Sequence, residues 1–419
     1  MTLHSPTPVA AQGRFSPGFQ YTASALVIFL ALLGSHLATP LYPIWQRSFG
    51  LSTTDITVIF SCYPLGVTAG LLYGGRMGDQ FGRKPMIYIG ILTIMLSSLT
   101  YLVASGMAYL MAARILNGIA IGLMSGPAAA ALVELHPTDD RGAASRIAAI
   151  AMLASPAAGL LLATLVVHFA SEELAVMLPF ALQLVGLMAC FLLALTYVET
   201  IRPENRRTFA TVSWRIQTLH VPADIRTPFV FATVVGVLVW AGTGLWLALG
   251  PVLVGQVIGS GSRLTGGLVV VAFLATAGVV QLFARRMPYM RALMISCYLT
   301  PPSLLLVLAT LHWQSAFGLG VGAVLAGISQ GLGWMGASEL VNRIAPAAIR
   351  ASVLSVLYIA GYFGAAVPII ATGIVADAMG LFPAVTMLLA LFTAVAVAMI
   401  VMGLRYQRTA AWTKAGGIG

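Results

Sequence analysis

Twelve mostly apolar stretches punctuate the chain. They run roughly over 21–45, 54–75, 86–105, 108–132, 143–166 and 175–198, then over 228–255, 264–284, 289–310, 315–338, 351–375 and 380–404. Each is close to the roughly 20 residues a helix needs to cross the hydrocarbon core of a bilayer. The polar breaks between them are short, down to "ASGMA" between the third and fourth. One break is long: "ENRRTFATVSWRIQTLHVPADIRTP", 204–228, near the midpoint. The pattern predicts an all-α membrane protein with twelve transmembrane helices. Its parts are a tail at 1–20, a six-helix bundle at 21–198, a linker at 199–227, a second six-helix bundle at 228–404 and a tail at 405–419.

Composition narrows the solvent. Of 419 residues, 59% are hydrophobic and 8% charged, against about 25% charged in a soluble domain. So little charge cannot cover a water-exposed surface, so most of the surface must face lipid. Cys62, Cys190 and Cys297 all fall in apolar stretches and imply neither a disulfide framework nor a metal site. The start, "MTLHSPTPVAAQGRFSPGFQ", has no A-x-A-like cleavage site and reads as a cytoplasmic tail. The six histidines are scattered, and neither H-E-x-x-H nor a Walker loop occurs. No enzyme activity, cofactor or metal is expected, and the tails and linker are too short for a signalling domain.

Charge fixes the expected orientation. With the N-terminus inside, all of the 22 Lys and Arg residues fall on the cytoplasmic side except Arg47, Arg263 and the intramembrane Arg114. This is the asymmetry of the positive-inside rule. The net charge of +10 is thereby explained loop by loop and does not point to nucleic acid. A bacterial-type inner (plasma) membrane with both termini cytoplasmic is expected, with the lipid bilayer as the surrounding partner and a monomer as the working unit.

The two halves echo each other. "FGRKPMIY" at 81–88 answers "FARRMPYM" at 283–290, "RGAAS" at 141–145 answers "IRAS" at 349–352, and "RILNG" at 114–118 answers "GISQG" at 327–331. The matches keep their order and topological position, as expected of a duplicated six-span unit. The copy at 283–290 lacks an acid, so a latch built on Asp79 is expected to be one-sided.

"GRMGDQFGRK", 75–84, resembles the loop G-x-L-x-D-R-x-G-R-[RK] between helices two and three of the major facilitator superfamily. Gly75, Asp79, Gly82, Arg83 and Lys84 match, and Gln80 departs. The resemblance implies two pseudo-symmetric bundles working by alternating access. It also implies that Asp79 latches the halves at the cytoplasmic side, against the start of the span near Ala351. Glu134, at the end of span four, is a candidate partner for Arg83. "RILNG" resembles the family's span-four R-x-x-Q-G, with Arg114 and Gly118 matching and Asn117 in place of Gln; in proton-linked members that Arg is implicated in coupling. "ASPAAG", 154–159, resembles the G-P-x-x-G of the drug:proton antiporters through Pro156 and Gly159.

None of the twelve acidic residues falls at the middle of a span, so coupling through a buried carboxylate is not supported. Arg114 is expected to face a polar cavity, the alternative being a snorkelling side chain at the outer interface. His36 is poised to exchange protons near neutral pH, the alternative being a neutral imidazole bonded to a neighbouring helix. On one α-helix, His36, Pro40 and Pro43 would share a face. The family's lining by spans one, four, seven and ten implies a cavity with His36, Tyr42, Arg114, Asn117, Trp240, Thr243, Trp246, Gln330 and Trp334. Such a lining suits a small amphipathic neutral or anionic organic compound. The expected function is proton-linked efflux, with protons as the coupling ion; the alternative is an importer or facilitator of a sugar or organic acid.

Overall fold

The computed structural model describes residues 16–407 except 139, 198, 200, 202–203, 205, 208–219, 259–262 and 348. Most of the expected linker and both chain ends therefore lie outside the described residues. Thirteen α-helices are seen among those described: α1 Pro17–Leu33, α2 Tyr42–Phe49, α3 Thr53–Phe81, α4 Arg83–Leu102, α5 Met107–Glu134, α6 Arg141–Phe169, α7 Glu172–Leu195, α8 Arg226–Ile258, α9 Arg263–Phe283, α10 Tyr289–Trp313, α11 Ala316–Ile344, α12 Arg350–Met379 and α13 Leu381–Gln407. Among the described residues, twelve segments are long and apolar enough to cross a membrane, α1 and α2 together forming the first, Gly18–Phe49. The protein is a multi-pass membrane protein.

Span one is not one helix. Two single 3₁₀ turns, Gly34–His36 and Thr39–Leu41, separate α1 from α2. Pro40 and Pro43 lie at this break, where the missing proline N–H groups cannot continue an α-ladder. The expectation that His36, Pro40 and Pro43 share one α-helical face therefore fails, because the register changes between them.

Several helices also outrun the apolar stretches that announced them. The α-ladder needs only backbone partners, so α3 continues through the polar "GRMGDQF" to Phe81. The turn expected over 75–84 is confined to Gly82, whose φ of 109° lies in the left-handed region that favours glycine.

Helix ends alternate between two faces, here called the linker face (where α3, α5 and α7 end) and the distal face (where α1–α2, α4 and α6 end). Within the first half α3 packs on α5 and α4 on both α5 and α7. A Cβ placed on Gly70 would stand 2.8 Å from the Gly122 Cα, so α3 and α5 meet backbone to backbone, as small residues allow between membrane helices. The halves meet where α3 lies against α12 and α6 against α9. Within the α3–α12 seam Ser61 Oγ donates to the Ala366 carbonyl at 3.2 Å.

Candidate functional site

Arg114 organises the centre of the first half. It lies on α5, is 1% exposed, and its guanidinium is held by the broken span. Nη1 donates to the Ser35 carbonyl at 2.8 Å and Nε to the Tyr42 hydroxyl at 3.0 Å, and Nη2 also meets that hydroxyl. The carbonyl is available because the 3₁₀ turn at Gly34–His36 interrupts the i→i−4 ladder. The rings of Tyr42 and Tyr63 flank the cation at 5.5 and 5.6 Å, a geometry that stabilises a desolvated guanidinium. The snorkelling alternative is thus overturned, since the side chain is buried among tyrosines rather than at an interface. Three polar contacts and two ring faces compensate a charge that would be costly alone in lipid.

His36 and Asn117 sit beside this clamp with polar atoms to spare. The His36 ring meets Tyr63 edge-on at 6.2 Å, and its Nδ1 is buried without a partner. Asn117, one helical turn beyond Arg114 on α5, is 2% exposed with Oδ1 unpartnered. Gly159 lets α6 pass against the break, since a Cβ there would run into the Leu33 carbonyl. Pro156 lies inside α6, one turn earlier.

The second half contributes an aromatic cluster. Trp240 on α8 lies 4.9 Å from Trp334 on α11 and 4.6 Å from Tyr362 on α12, and Trp334 meets Tyr358 at 5.1 Å. The indole Nε1 of Trp240 is buried without a partner. Tyr358, placed against the buried Trp334, is itself 37% exposed. Gln330 accepts from Gln281 at 3.4 Å. Trp246 and Thr243 stand apart: Trp246 stacks on Phe273 in the apolar core, and the Thr243 hydroxyl donates to the Val239 carbonyl of its own helix.

Sequence reasoning missed Tyr63, Tyr358 and Tyr362 because it looked to spans one, four, seven and ten. The available signal was the pair of tyrosines at i, i+4 in "YIAGY" of span eleven.

At the linker face the motif residues form one network. Asp79 accepts from Arg83 at 2.7 Å, and Arg83 reaches Glu134 at 3.6 Å, the pairing expected from the sequence. The Asp79 side chain is 68% exposed, and its bonded partner is Arg83 of its own half rather than the start of α12 near Ala351. Gly75 lies on α3, with its surroundings outside what is described. Glu199, unmarked by the sequence reading, accepts the backbone N–H groups of Arg83, Lys84 and Ile201, each at 3.0 Å. Lys84 Nζ donates to the carbonyls of Leu195 and Tyr197, at 3.1 and 2.7 Å. The carboxylate serves the N-terminus of α4 while the ammonium serves the C-terminus of α7, the charge placement each helix dipole favours.

A bundle of membrane-length helices in two halves, with a buried guanidinium in the first and an aromatic cluster in the second, is the architecture of a membrane transporter. The chain belongs to the Major Facilitator Superfamily, whose model matches residues 24–366. It is similar to the quinolone resistance protein NorA of Staphylococcus aureus, 25% identical over 114 residues. That match spans 27% of this chain and 29% of NorA. Among solved structures it resembles a bacterial homologue of the human lysosomal transporter Spinster in an inward-facing, unoccupied conformation. The TM-score is 0.73 and identity 14%, covering 95% of this chain and 98% of that one. It also resembles a D-xylose–proton symporter, with a TM-score of 0.68 and 16% identity over 96% of this chain and all of that one. These two likenesses concern the fold. The family acts on small-molecule substrates.

Proposed function

We propose that this protein exports a small, planar, amphipathic organic compound, neutral or anionic, in exchange for protons. The observation that carries the reading is the aromatic cluster of Trp240, Trp334, Tyr358 and Tyr362, with its unpartnered indole N–H. Stacked rings recognise a planar apolar body, and one buried donor rewards a single acceptor on it. No carboxylate stands in the middle of a span, so no buried countercharge favours a cation. The similarity to a quinolone resistance protein supports export. In this reading the linker face is cytoplasmic, the two six-helix bundles rock about the site, and His36, with its free Nδ1, carries the coupled proton.

An import reading would give Arg114 to the substrate's negative group. That guanidinium is already engaged by Ser35 and Tyr42, which favours a role in holding the broken span over direct substrate capture. Asp79 is assigned the linker-face latch, engaged when that face closes.

Inverted vesicles containing the purified protein test the reading. With a proton gradient, they are expected to accumulate a quinolone, to lose that accumulation with a protonophore, and to ignore D-xylose. Accumulation insensitive to the protonophore would overturn antiport, and D-xylose uptake instead would overturn the substrate class.

A further inference from the structure

The N-terminus of α3, at the distal face, has its four leading amides fully accounted for. Ser52 and Asp55 form a capping box: Asp55 N donates to Ser52 Oγ at 3.1 Å and Ser52 N to Asp55 Oδ2 at 2.9 Å. The next two amides, of Thr53 and Thr54, donate to Oδ1 and Oδ2 of Asp377, each at 2.9 Å. Asp377 belongs to the other half of the chain, in the last turn of α12. One carboxylate thus supplies, across the interface, what a helix start otherwise finds in its own sequence.

The opposite ends of the same two helices differ. α3 and α12 run antiparallel with 29 and 30 residues, about 45 Å each at 1.5 Å per residue. With Asp377 against the start of α3, equal lengths bring Asp79 at the end of α3 to the level of the start of α12. There the N-cap position, Ile349, has no side-chain cap, while Asp79 is bonded to Arg83 and largely exposed. Each helix therefore ends in an aspartate at the level of the other's N-terminus, and only the distal one is engaged.

We propose that Asp377 is the distal-face gate residue, a helix-capping carboxylate that clasps α12 to α3 when the distal face is shut and releases as Asp79 engages the start of α12. This rests on the alternating-access reading above. The counterpart of Asp79 is then not in the repeated loop at 283–290, which lacks an acid, but on the helix that α3 touches.

Spin-label distances on the full chain decide it. The three native cysteines are buried, so labels go to pairs of introduced cysteines at exposed positions. Ser105→Cys with His312→Cys reports the distal face, and Thr138→Cys with Ala347→Cys the linker face. Parent protein is expected to show short and long populations at each pair, exchanging in opposite senses. Asp377→Asn keeps one acceptor but sets an N–H donor against the other amide, and is expected to raise the long-to-short ratio at the distal pair about tenfold, the order of one hydrogen bond to a charged group. Asp377→Glu should stay near the parent, Asp79→Asn should shift the distal pair toward the short distance, and the double variant should return toward the parent ratio.

Unchanged distances in Asp377→Asn, with two populations in the parent, would overturn the clasp and leave alternating access standing. A single distance at both pairs, with and without a quinolone, would overturn alternating access and the clasp together. Should Asp377→Asn not fold, Asp79→Asn decides alone, since a reciprocal clasp requires its shift and no shift refutes it.

Discussion

Arg114 shows how a residue that looks unfavourable in the sequence becomes a firmly held side chain in the fold. Its cost in lipid is offset by the Ser35 carbonyl, the Tyr42 hydroxyl and two ring faces. Tyr42→Phe should keep the ring but strip the hydroxyl, leaving Nε short of its acceptor. A loss of about 1–3 kcal/mol is expected, read as a lower melting temperature in detergent. Arg114→Lys should cost more than Tyr42→Phe and should abolish substrate accumulation in vesicles, because a single ammonium cannot serve the carbonyl and the hydroxyl as a planar fork does. Equal melting of Arg114→Lys and parent would show that the fork is dispensable. At this scale the sequence marked Arg114, His36, Asn117 and the two tryptophans. It could not mark the Ser35 carbonyl, which becomes an acceptor only because span one breaks. The tyrosines of spans two and eleven are ordinary apolar-stretch residues until the halves bring them to the same centre.

At the scale of elements, the turn between α3 and α4 carries the sharpest prediction. Gly82 combines a φ of 109° with a position where a Cβ would meet the Glu199 carboxylate. Gly82→Ala should therefore suffer twice, through backbone strain of about 1–3 kcal/mol and through displacement of the carboxylate that caps α4. Glu199→Ala removes the cap alone and should cost about 1 kcal/mol. Thermal melts of both variants and the double variant check this: the double should cost less than the sum, because either change already dislodges the cap. The matching glycine, aspartate and basic residues were legible as a motif, and the Arg83–Glu134 pair was read correctly. The length of α3 was not legible, because polar residues at a helix end look like a loop when apolar periodicity is the guide. Glu199 was missed for the same reason: it stands in a polar stretch where nothing marks it as a capping group.

For the whole molecule, coupling is the property to test. If His36 carries the proton, His36→Gln should leave the fold intact, remove the dependence of quinolone accumulation on the proton gradient, and reduce its rate at least tenfold. Initial rates in vesicles at fixed gradients check this, and a pH profile unchanged in His36→Gln would remove it as the carrier. Trp240→Phe, which keeps a ring and deletes the indole N–H, should raise the quinolone concentration for half-maximal transport about fivefold, the order of one net hydrogen bond.

What the sequence determined by itself is what depends on local or summed chemistry. Bilayer-length apolar runs set the number of crossings, the paucity of charge set the solvent, and the bias of Lys and Arg set the expected orientation. What only the tertiary structure decided is which groups meet across the bundle. Asp377 and Thr53 are separated by 324 positions, and no periodicity or motif links them. They meet because two antiparallel helices of nearly equal length pack between the halves, and a helix start must find acceptors for its amides wherever packing puts them. The sequence predicted a one-sided latch because it compared loop with copied loop. The fold pairs helix with helix, and so places a second aspartate at the other end.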